Sequence, residues 1–234
     1  MITAIILAGG LGTRLAQTVR DRPKVLAPIQ GVPFLTLLLQ QLEREDSISK
    51  IILALGHRAG DIKQFVAKRK RALSIEISIE TSPLGTGGAL LNALDKAHTD
   101  TLLVLNGDSY FDLPLKDFWN FHRTKNADIS IACREVTDAG RYGTVEIDKC
   151  SQCITAFREK SQNSQCGWIN AGLYLIQKSL LTSFTFGVYS LEIDFFPLFL
   201  KKNFFGYLHT GSFVDIGTPR SYNEAQEILK PWIA

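Results

Sequence analysis

An apolar run followed directly by a glycine-rich segment opens the chain and constrains the fold more than any other feature. Residues 2–7 read Ile-Thr-Ala-Ile-Ile-Leu without polar alternation, which is typical of a parallel strand covered on both faces. Residues 8–15 follow as Ala-Gly-Gly-Leu-Gly-Thr-Arg-Leu. Their three glycines let backbone N–H groups approach a ligand closely and form a concave anion site. The sequence therefore predicts a phosphate-binding loop at the carboxyl end of a buried strand.

The best-known phosphate motifs do not fit this loop. A P-loop requires a second glycine five residues after the first, and no glycine stands at that distance from Gly9, Gly10 or Gly12. In the dinucleotide pattern Gly-x-Gly-x-x-Gly, the place of the third glycine is taken by Leu15. The loop is therefore neither that of a P-loop kinase nor that of a nicotinamide-dependent dehydrogenase.

The bulk composition favours one globular domain. The chain has 234 residues, of which 45% are hydrophobic and 21% charged, enough for a sizeable core. Its net charge is only +3, and the densest basic cluster, residues 68–71, is typical of a solvated helix end rather than a nucleic-acid surface. Without an 18-residue apolar run or a basic leader, we expect no membrane span, no secretion signal and a cytoplasmic location.

Strand-like and helix-like segments alternate through the first half of the chain. A leucine-rich helix is predicted over residues 33–43 and a buried strand over 50–55. A helix that Asp61 caps then runs to about residue 71, and residues 74–79 alternate as a strand with one wetter face. This order predicts a doubly wound sheet with right-handed crossovers.

The second half has a different character, because short strands are joined there by turns. This pattern indicates a mixed, partly antiparallel extension of the sheet, since no Pro/Ser-rich linker divides the halves. Ser190 is in addition expected to cap a helix. The strands are predicted over residues 128–132, 142–148, 154–159 and 168–176.

Further segments place polar residues at strand ends. Residues 80–88, Glu-Thr-Ser-Pro-Leu-Gly-Thr-Gly-Gly, form a second glycine-rich loop that leads into a helix predicted over 89–97. Asp108 follows a buried strand over 101–105, a position where a metal-binding carboxylate belongs in an open α/β sheet. Asp215 stands on another short strand.

Two signatures give the chain a family resemblance. Residues 9–15 with Pro23 and Lys24 resemble the signature of the sugar-1-phosphate nucleotidyltransferases, also called nucleoside-diphosphate-sugar pyrophosphorylases. Residues 215–219, Asp-Ile-Gly-Thr-Pro, are similar to a second signature of that family. The resemblance extends from residue 2 to about residue 229.

The resemblance implies an α/β fold of three layers. A Rossmann-like mixed sheet is then flanked by helices and carries a small antiparallel sugar-binding extension. Residues 1–234 are expected to form a single nucleotidyltransferase domain, with a nucleotide-binding half over 1–112 and a sugar-binding half over 113–234.

The implied reaction joins a sugar 1-phosphate to the α-phosphorus of a nucleoside triphosphate and expels pyrophosphate. The attacking phosphate is mostly a dianion at neutral pH, so it needs no general base. Charge neutralisation is needed instead. The resemblance implies Arg14 and Lys24 as the catalytic cations, and Asp108 and Asp215 as ligands of Mg²⁺.

The other implied site residues fall into two groups. The nucleotide-binding residues lie around the two glycine-rich loops and are Leu7, Ala8, Gly9, Gly10, Gly12, Thr13, Glu80, Pro83, Leu84, Gly85 and Thr86. The sugar-phosphate-binding residues stand at later strand ends and are Asn106, Gly107, Tyr142, Gly143, Glu159, Lys160, Asn170, Gly172 and Glu192. Taken singly, several of the second group could be turn residues or a surface ion pair. A role in binding is favoured because these residues follow the first signature in the same order as the sugar-pocket positions of the family.

Within the family, the second glycine-rich loop is closer to guanylyltransferases than to thymidylyl or uridylyl enzymes, so GTP is the expected nucleotide. Segments 141–148, 167–172 and 190–192 are similar to guanylyltransferases of D-glycero-α-D-manno-heptose 1-phosphate. Ala171 departs from the glycine expected there, and mannose 1-phosphate guanylyltransferases are the nearest alternative.

A non-catalytic nucleotide-sugar sensor on the same fold is disfavoured, because the reactive cations and both metal carboxylates are present. We expect no nucleic-acid or membrane partner. The phenylalanine pairs at 195–196 and 204–205 could form a homo-oligomer interface or belong to the core.

Overall fold

A seven-stranded mixed sheet carries the molecule, and helices cover both of its faces. The computed structural model describes residues 1–15, 18–69, 73–139, 142, 144–158, 166–200 and 202–233. The elements of the first half are β1 (Ile2–Ala8), β2 (Pro28–Ile29), β3 (Val32–Pro33), α1 (Phe34–Glu43), β4 (Ile48–Leu55), α2 (Ala59–Lys68), β5 (Ser74–Ile79), α3 (Gly85–Ala93) and β6 (Thr101–Asn106).

Shorter elements make up most of the second half. One turn of π-helix, Leu191–Phe195, and a 3₁₀ turn, Phe196–Phe199, follow a loop there, and the side chain of Ser190 caps the π turn as predicted. The strands and α-helices are β7 (Ser109–Phe111), α4 (Leu115–Thr124), β8 (Ile129–Val136), β9 (Thr144–Ile147), β10 (Ile154–Arg158), β11 (Gly167–Gln177), α5 (Lys178–Leu181), β12 (Phe204–His209), β13 (Phe213–Asp215) and α6 (Pro219–Ile228).

The order of strands in the main sheet is β12-β8-β11-β6-β1-β4-β5. Strands β4, β5 and β6 run parallel with β1, whereas β11 lies antiparallel between β6 and β8. Strand β12 is again parallel to β8. Antiparallel pairs of β9 with β10 and of β7 with β13 lie outside this sheet. The predicted α/β fold, with a mixed sheet, flanking helices and small antiparallel additions, is confirmed.

Strand β1 has hydrophobic cover on both faces. Ala4 and Ile6 pack into the core on the side of α1, α2, α4 and α6, and Ile5 packs into the core on the side of α3. All three side chains are fully buried. The strand therefore has no polar side, which explains why its sequence shows no alternation.

Two predicted helix starts were wrong. Helix α2 begins at Ala59, so Asp61 lies inside its first turn, where its carboxylate accepts a hydrogen bond from Arg58 at 2.7 Å instead of capping the helix. Helix α3 begins at Gly85 rather than residue 89, because the glycine-rich loop itself forms its first turn. The N–H of Gly87 in that turn donates to the carbonyl of Tyr189 at 2.8 Å, a contact that no local pattern indicates.

The paired phenylalanines belong mainly to the core. Phe195, Phe196 and Phe204 are buried, and only Phe205 is partly exposed. Across the described ranges, no helix has the length and apolar character that a bilayer span requires.

One buried histidine gives the fold a pH dependence. His122 on α4 is 1% exposed. Its Nδ1 lies 2.9 Å from Ser130 Oγ and its Nε2 lies 3.2 Å from Gln177 Nε2. Burial lowers the pKa of His122 from 6.5 to about 4. The ring is therefore neutral in the folded protein at neutral pH.

We expect His122 to reduce stability in acid. The folded pKa lies below the unfolded one, so the unfolded chain takes up the proton first, and stability falls from pH 6.5 until it levels off below about pH 4. Relative to His122→Gln, the wild type should lose about 3 kcal/mol of unfolding free energy between pH 7 and pH 4, as measured by urea unfolding. His57→Gln, which changes an exposed side chain, should keep the wild-type profile. Identical profiles for the wild type and His122→Gln would contradict the expectation.

Candidate active site

Two neighbouring cavities open at the carboxyl ends of β1 and β6. The sheet grows from β1 through β4 to β5 on one side, and the chain then returns to place β6 on the other side. Loops that follow strands on either side of such a reversal diverge and leave a crevice, which is where open α/β sheets bind ligands. The first glycine-rich loop follows β1, and Asp108 follows β6.

The first cavity has a volume of about 510 Å³. Both glycine-rich loops line it, together with the end of β6. Leu84 does not line it, since its side chain is buried beneath the loop. The residues predicted to bind nucleotide that line this cavity are Leu7, Ala8, Gly9, Gly10, Gly12, Thr13, Glu80, Pro83, Gly85 and Thr86.

Glu80 gives the first cavity an acceptor. Its Oε2 accepts a hydrogen bond from the Leu84 N–H at 3.3 Å, and partial burial raises the pKa of its carboxyl. A Cβ at Gly9 would come within 2.7 Å of Glu80 Oε1, and one at Gly56 within 2.5 Å. Both positions therefore need glycine for this carboxylate to lie against the loop.

The second cavity has a volume of about 600 Å³ and lies on the side of β9, β10 and β11. Gly107 lines only the first cavity, where its N–H donates to the Leu7 carbonyl at 2.8 Å. Gly143, Glu159 and Lys160 lie outside the described residues. The predicted sugar-phosphate-binding residues that line the second cavity are Asn106, Tyr142, Asn170, Gly172 and Glu192.

The two cavities meet at four residues that line both of them, namely Arg14, Asn106, Asp108 and Gly217. Lys24 lines the first cavity at this junction, and its Nζ lies 2.6 Å from Asp108 Oδ2. Its side chain is only 13% exposed, so the charge is held close to the carboxylate. The two predicted catalytic cations therefore lie where the contents of the two cavities would meet.

Asp215 is brought beside Asp108 by the pairing of β13 with β7, in which Asp215 lies opposite Ser109. Its Oδ1 accepts from the Gly217 N–H at 2.7 Å and its Oδ2 from the Tyr142 hydroxyl at 2.9 Å. These donors hold the carboxylate in a fixed orientation. Tyr142, predicted to contact sugar, thus also positions an acidic residue.

The two aspartates fit a magnesium site of the kind that substrate completes. Mg²⁺ is commonly held by one or two carboxylates together with substrate phosphates and water. In the described part of the chain, no group of three or more His, Cys, Asp or Glu side chains converges as a metal cage would require. Asp108 and Asp215 therefore suit a phosphate-bridged ion better than a structural one.

Several residues of the second cavity were missed by sequence reasoning. Gly217 and Thr218 lie inside the second signature, so that segment already contained a signal for them. The others are apolar or lack a motif, and only folding brings them together. They are Ser109, Thr144, Val145, Phe157, Arg158, Ile193, Pro197 and Phe213.

The chain is similar to several known proteins. A family model described as nucleotidyl transferase matches residues 3–230. A D-glycero-α-D-manno-heptose 1-phosphate guanylyltransferase from Aneurinibacillus thermoaerophilus is 38% identical over 98% of this chain and 99% of its own. An enzyme of the same name from Campylobacter jejuni subsp. jejuni serotype O:2 is 36% identical over 94% of this chain and 96% of its own.

Solved structures show the same relationship. HddC from Yersinia pseudotuberculosis has a TM-score of 0.86 and 34% identity over 98% of this chain and 100% of its own, and the values are the same for its complex with GMP-PN. Members of this family generally use a divalent metal ion. The match over residues 3–230 and these relatives of nearly equal length show that the chain belongs to the nucleotidyl transferase family.

Proposed function

We propose that this protein transfers a guanylyl group from GTP to D-glycero-α-D-manno-heptose 1-phosphate and releases pyrophosphate. The observation that carries the proposal is the meeting of two cavities at Arg14 and at the Lys24–Asp108 ion pair. Two phosphorylated substrates need such a junction of cations between them. The names of the two full-length relatives support the choice of heptose phosphate and of guanylyl transfer.

The first cavity would hold GTP. Backbone N–H groups of the loop after β1 would bind its phosphates, as their concave arrangement allows. Glu80 lines the same cavity as a carboxylate that can only accept hydrogen bonds. Guanine presents an N1–H and an N2 amino group side by side, whereas adenine presents an acceptor at N1. A partly buried carboxylate therefore favours guanine over adenine.

The second cavity would hold the sugar phosphate. Asn170 and Glu192 line it and offer amide and carboxylate oxygens to sugar hydroxyls. Glu159 and Lys160, which the family resemblance implied as sugar and phosphate contacts, remain part of the proposal on that basis. On the same basis, we propose that residues 1–112 form a nucleotide-binding half and residues 113–234 a sugar-binding half.

In the reaction that we propose, a phosphate oxygen of the sugar attacks the α-phosphorus of GTP. A new P–O bond forms, the bond between the α-phosphorus and its bridging oxygen breaks, and pyrophosphate leaves with the electron pair. Lys24 would neutralise charge near the α-phosphate, and Arg14 would bind the departing phosphates with its planar guanidinium.

Mg²⁺ is the proposed metal ion, with Asp108 and Asp215 as the residues that would hold it. Such an ion supplies charge neutralisation at the phosphates. The chain's own contribution is to keep both carboxylates fixed, through Ser109 beside Asp108 and through Tyr142 and Gly217 beside Asp215.

A pyrophosphate-release assay tests the proposed reaction. The purified protein is incubated with Mg²⁺, with each of GTP, ATP, CTP, UTP and dTTP, and with heptose or mannose 1-phosphate. We expect turnover with GTP and the heptose phosphate. Greater turnover with mannose 1-phosphate, or with another nucleotide, would change the assigned substrates but keep the assigned reaction. No turnover with any pair of substrates would contradict the proposed function.

The ion pair at the junction should be essential for chemistry. We expect Lys24→Met and Asp108→Asn each to lower kcat by about 100-fold or more, because the first removes the cation that would face the reacting phosphates and the second removes the carboxylate that positions Lys24 and would hold Mg²⁺. Lys50→Met is a matched control, since Lys50 Nζ lies 2.6 Å from Glu76 Oε1 and its side chain is 16% exposed, yet it lines neither cavity. Steady-state kinetics that show equal losses in all three variants would refute the assignment.

Glu80 should determine the preference for guanine. We expect Glu80→Gln to raise KM for GTP by about 10- to 100-fold with kcat little changed, since a paired hydrogen bond to a base contributes about 1–3 kcal/mol of discrimination. KM for ATP should change much less. Glu76→Gln, on the strand that precedes Glu80, serves as the control and should keep the wild-type KM values. Unchanged GTP selectivity in Glu80→Gln would show that another group reads the base.

A further inference from the structure

The second glycine-rich loop is held against the segment that leads into the π turn. The Tyr189 N–H donates to the Leu84 carbonyl at 2.9 Å, and the Gly87 N–H donates back to the Tyr189 carbonyl at 2.8 Å. Gly85 makes this approach possible, because a Cβ there would lie 2.4 Å from the Tyr189 carbonyl oxygen. A loop of the nucleotide cavity and the segment that carries Glu192 are therefore closely packed.

One side chain extends this contact to the second cavity. The Thr86 hydroxyl accepts a hydrogen bond from the Leu191 N–H at 2.8 Å and donates to Glu192 Oε2 at 3.1 Å. Since a backbone N–H can only donate, the single hydroxyl proton of Thr86 is free for the carboxylate. Thr86 lines the first cavity and Glu192 lines the second.

The other oxygen of Glu192 leads further into the second cavity. Tyr174 donates its hydroxyl to Glu192 Oε1 at 3.1 Å and accepts from Asn170 Nδ2 at 2.9 Å. Complete burial raises the pKa of Tyr174, so the phenol keeps its proton and remains a donor. A continuous set of hydrogen bonds thus runs from Thr86 through Glu192 and Tyr174 to Asn170.

The Glu192 carboxylate depends on hydroxyl donors for its position. Ser190 Oγ also donates to its Oε2, at 3.1 Å. Among the residues that the structure describes, no Lys, Arg or His side chain forms an ion pair with Glu192. Removing the hydroxyl of Thr86, Ser190 or Tyr174 therefore removes one of the three hydroxyl hydrogen bonds described for this carboxylate.

We propose that Thr86 is a positioning residue that couples nucleotide binding to sugar-phosphate binding through Glu192. The inference rests on the proposed function and adds a regulation of its site. A nucleotide that orders the loop around Thr86 also fixes the hydroxyl that orients Glu192, so the second cavity is better formed when the first is filled. By linkage, the sugar phosphate favours nucleotide binding by the same factor.

Calorimetry on the full chain tests this coupling without turnover. The affinity for D-glycero-α-D-manno-heptose 1-phosphate is measured with and without a saturating α,β-methylene analogue of GTP. In the wild type, the analogue should tighten sugar-phosphate binding by roughly 5- to 150-fold, the usual range for coupled sites. Thr86→Val, which keeps the shape and removes the hydroxyl, should reduce this factor by about fivefold or more. Thr86→Ser should restore it.

Ser190→Ala provides the matched control. It removes a donor from the same oxygen of Glu192 at the same distance of 3.1 Å, but within the described residues the hydrogen bonds of this hydroxyl go to Glu192 and to the Ile193 N–H, not to the nucleotide loop. We expect weaker sugar-phosphate binding with an unchanged coupling factor. A factor retained in Thr86→Val, or lost equally in both variants, overturns the inference while leaving the proposed function intact. Failure of the wild type to bind either probe overturns both.

Discussion

The structure depends on the burial of β1 on both faces, because the order in which strands are added to the sheet reverses at this strand. Ile5 is covered by the α3 side of the core, and Ala4 and Ile6 by the opposite side. A strand that is fully covered ends in a rigidly held position, so the glycine-rich loop after it is presented from a fixed base. The neighbouring end of β6 is held in the same way and carries Asp108.

Electrostatics shape the junction between the cavities. The side chains of Lys24 and Asp108 neutralise one another in the described structure, and Asp215 accepts hydrogen bonds from Tyr142 and Gly217 beside them. A site that binds two phosphorylated molecules must present positive charge and must keep its cationic side chains in place before the substrates bind. The ion pair meets both needs, because Lys24 stays close to the junction through its partner and remains available to a phosphate.

The fold class could be predicted from sequence for physical reasons that are local, and many of the residues that line the two cavities were implied by the resemblance to a known family. A short run of β-branched and leucine residues before a glycine-rich segment is typical of a covered strand, and three glycines in four positions indicate a backbone-lined anion site. The start of α3 could not be predicted, since it depends on the contact of Gly87 with Tyr189, about a hundred residues away. Asp61 was predicted to be a helix cap because its residue type favours that role, but its carboxylate accepts a hydrogen bond from Arg58 instead.

Resemblance to a known family implied the cations and carboxylates, whereas the sequence by itself determined the alternation of strands and helices in the first half of the chain and the two glycine-rich loops. These follow from hydrophobic periodicity and backbone freedom, which act over a few residues. Only the tertiary structure decided that Arg14 and Asp108 border both cavities, that Tyr142 holds Asp215, and that Thr86 bonds to Glu192. Such contacts join residues that are far apart in the chain, so they exist only once the sheet has brought its strand ends to one edge.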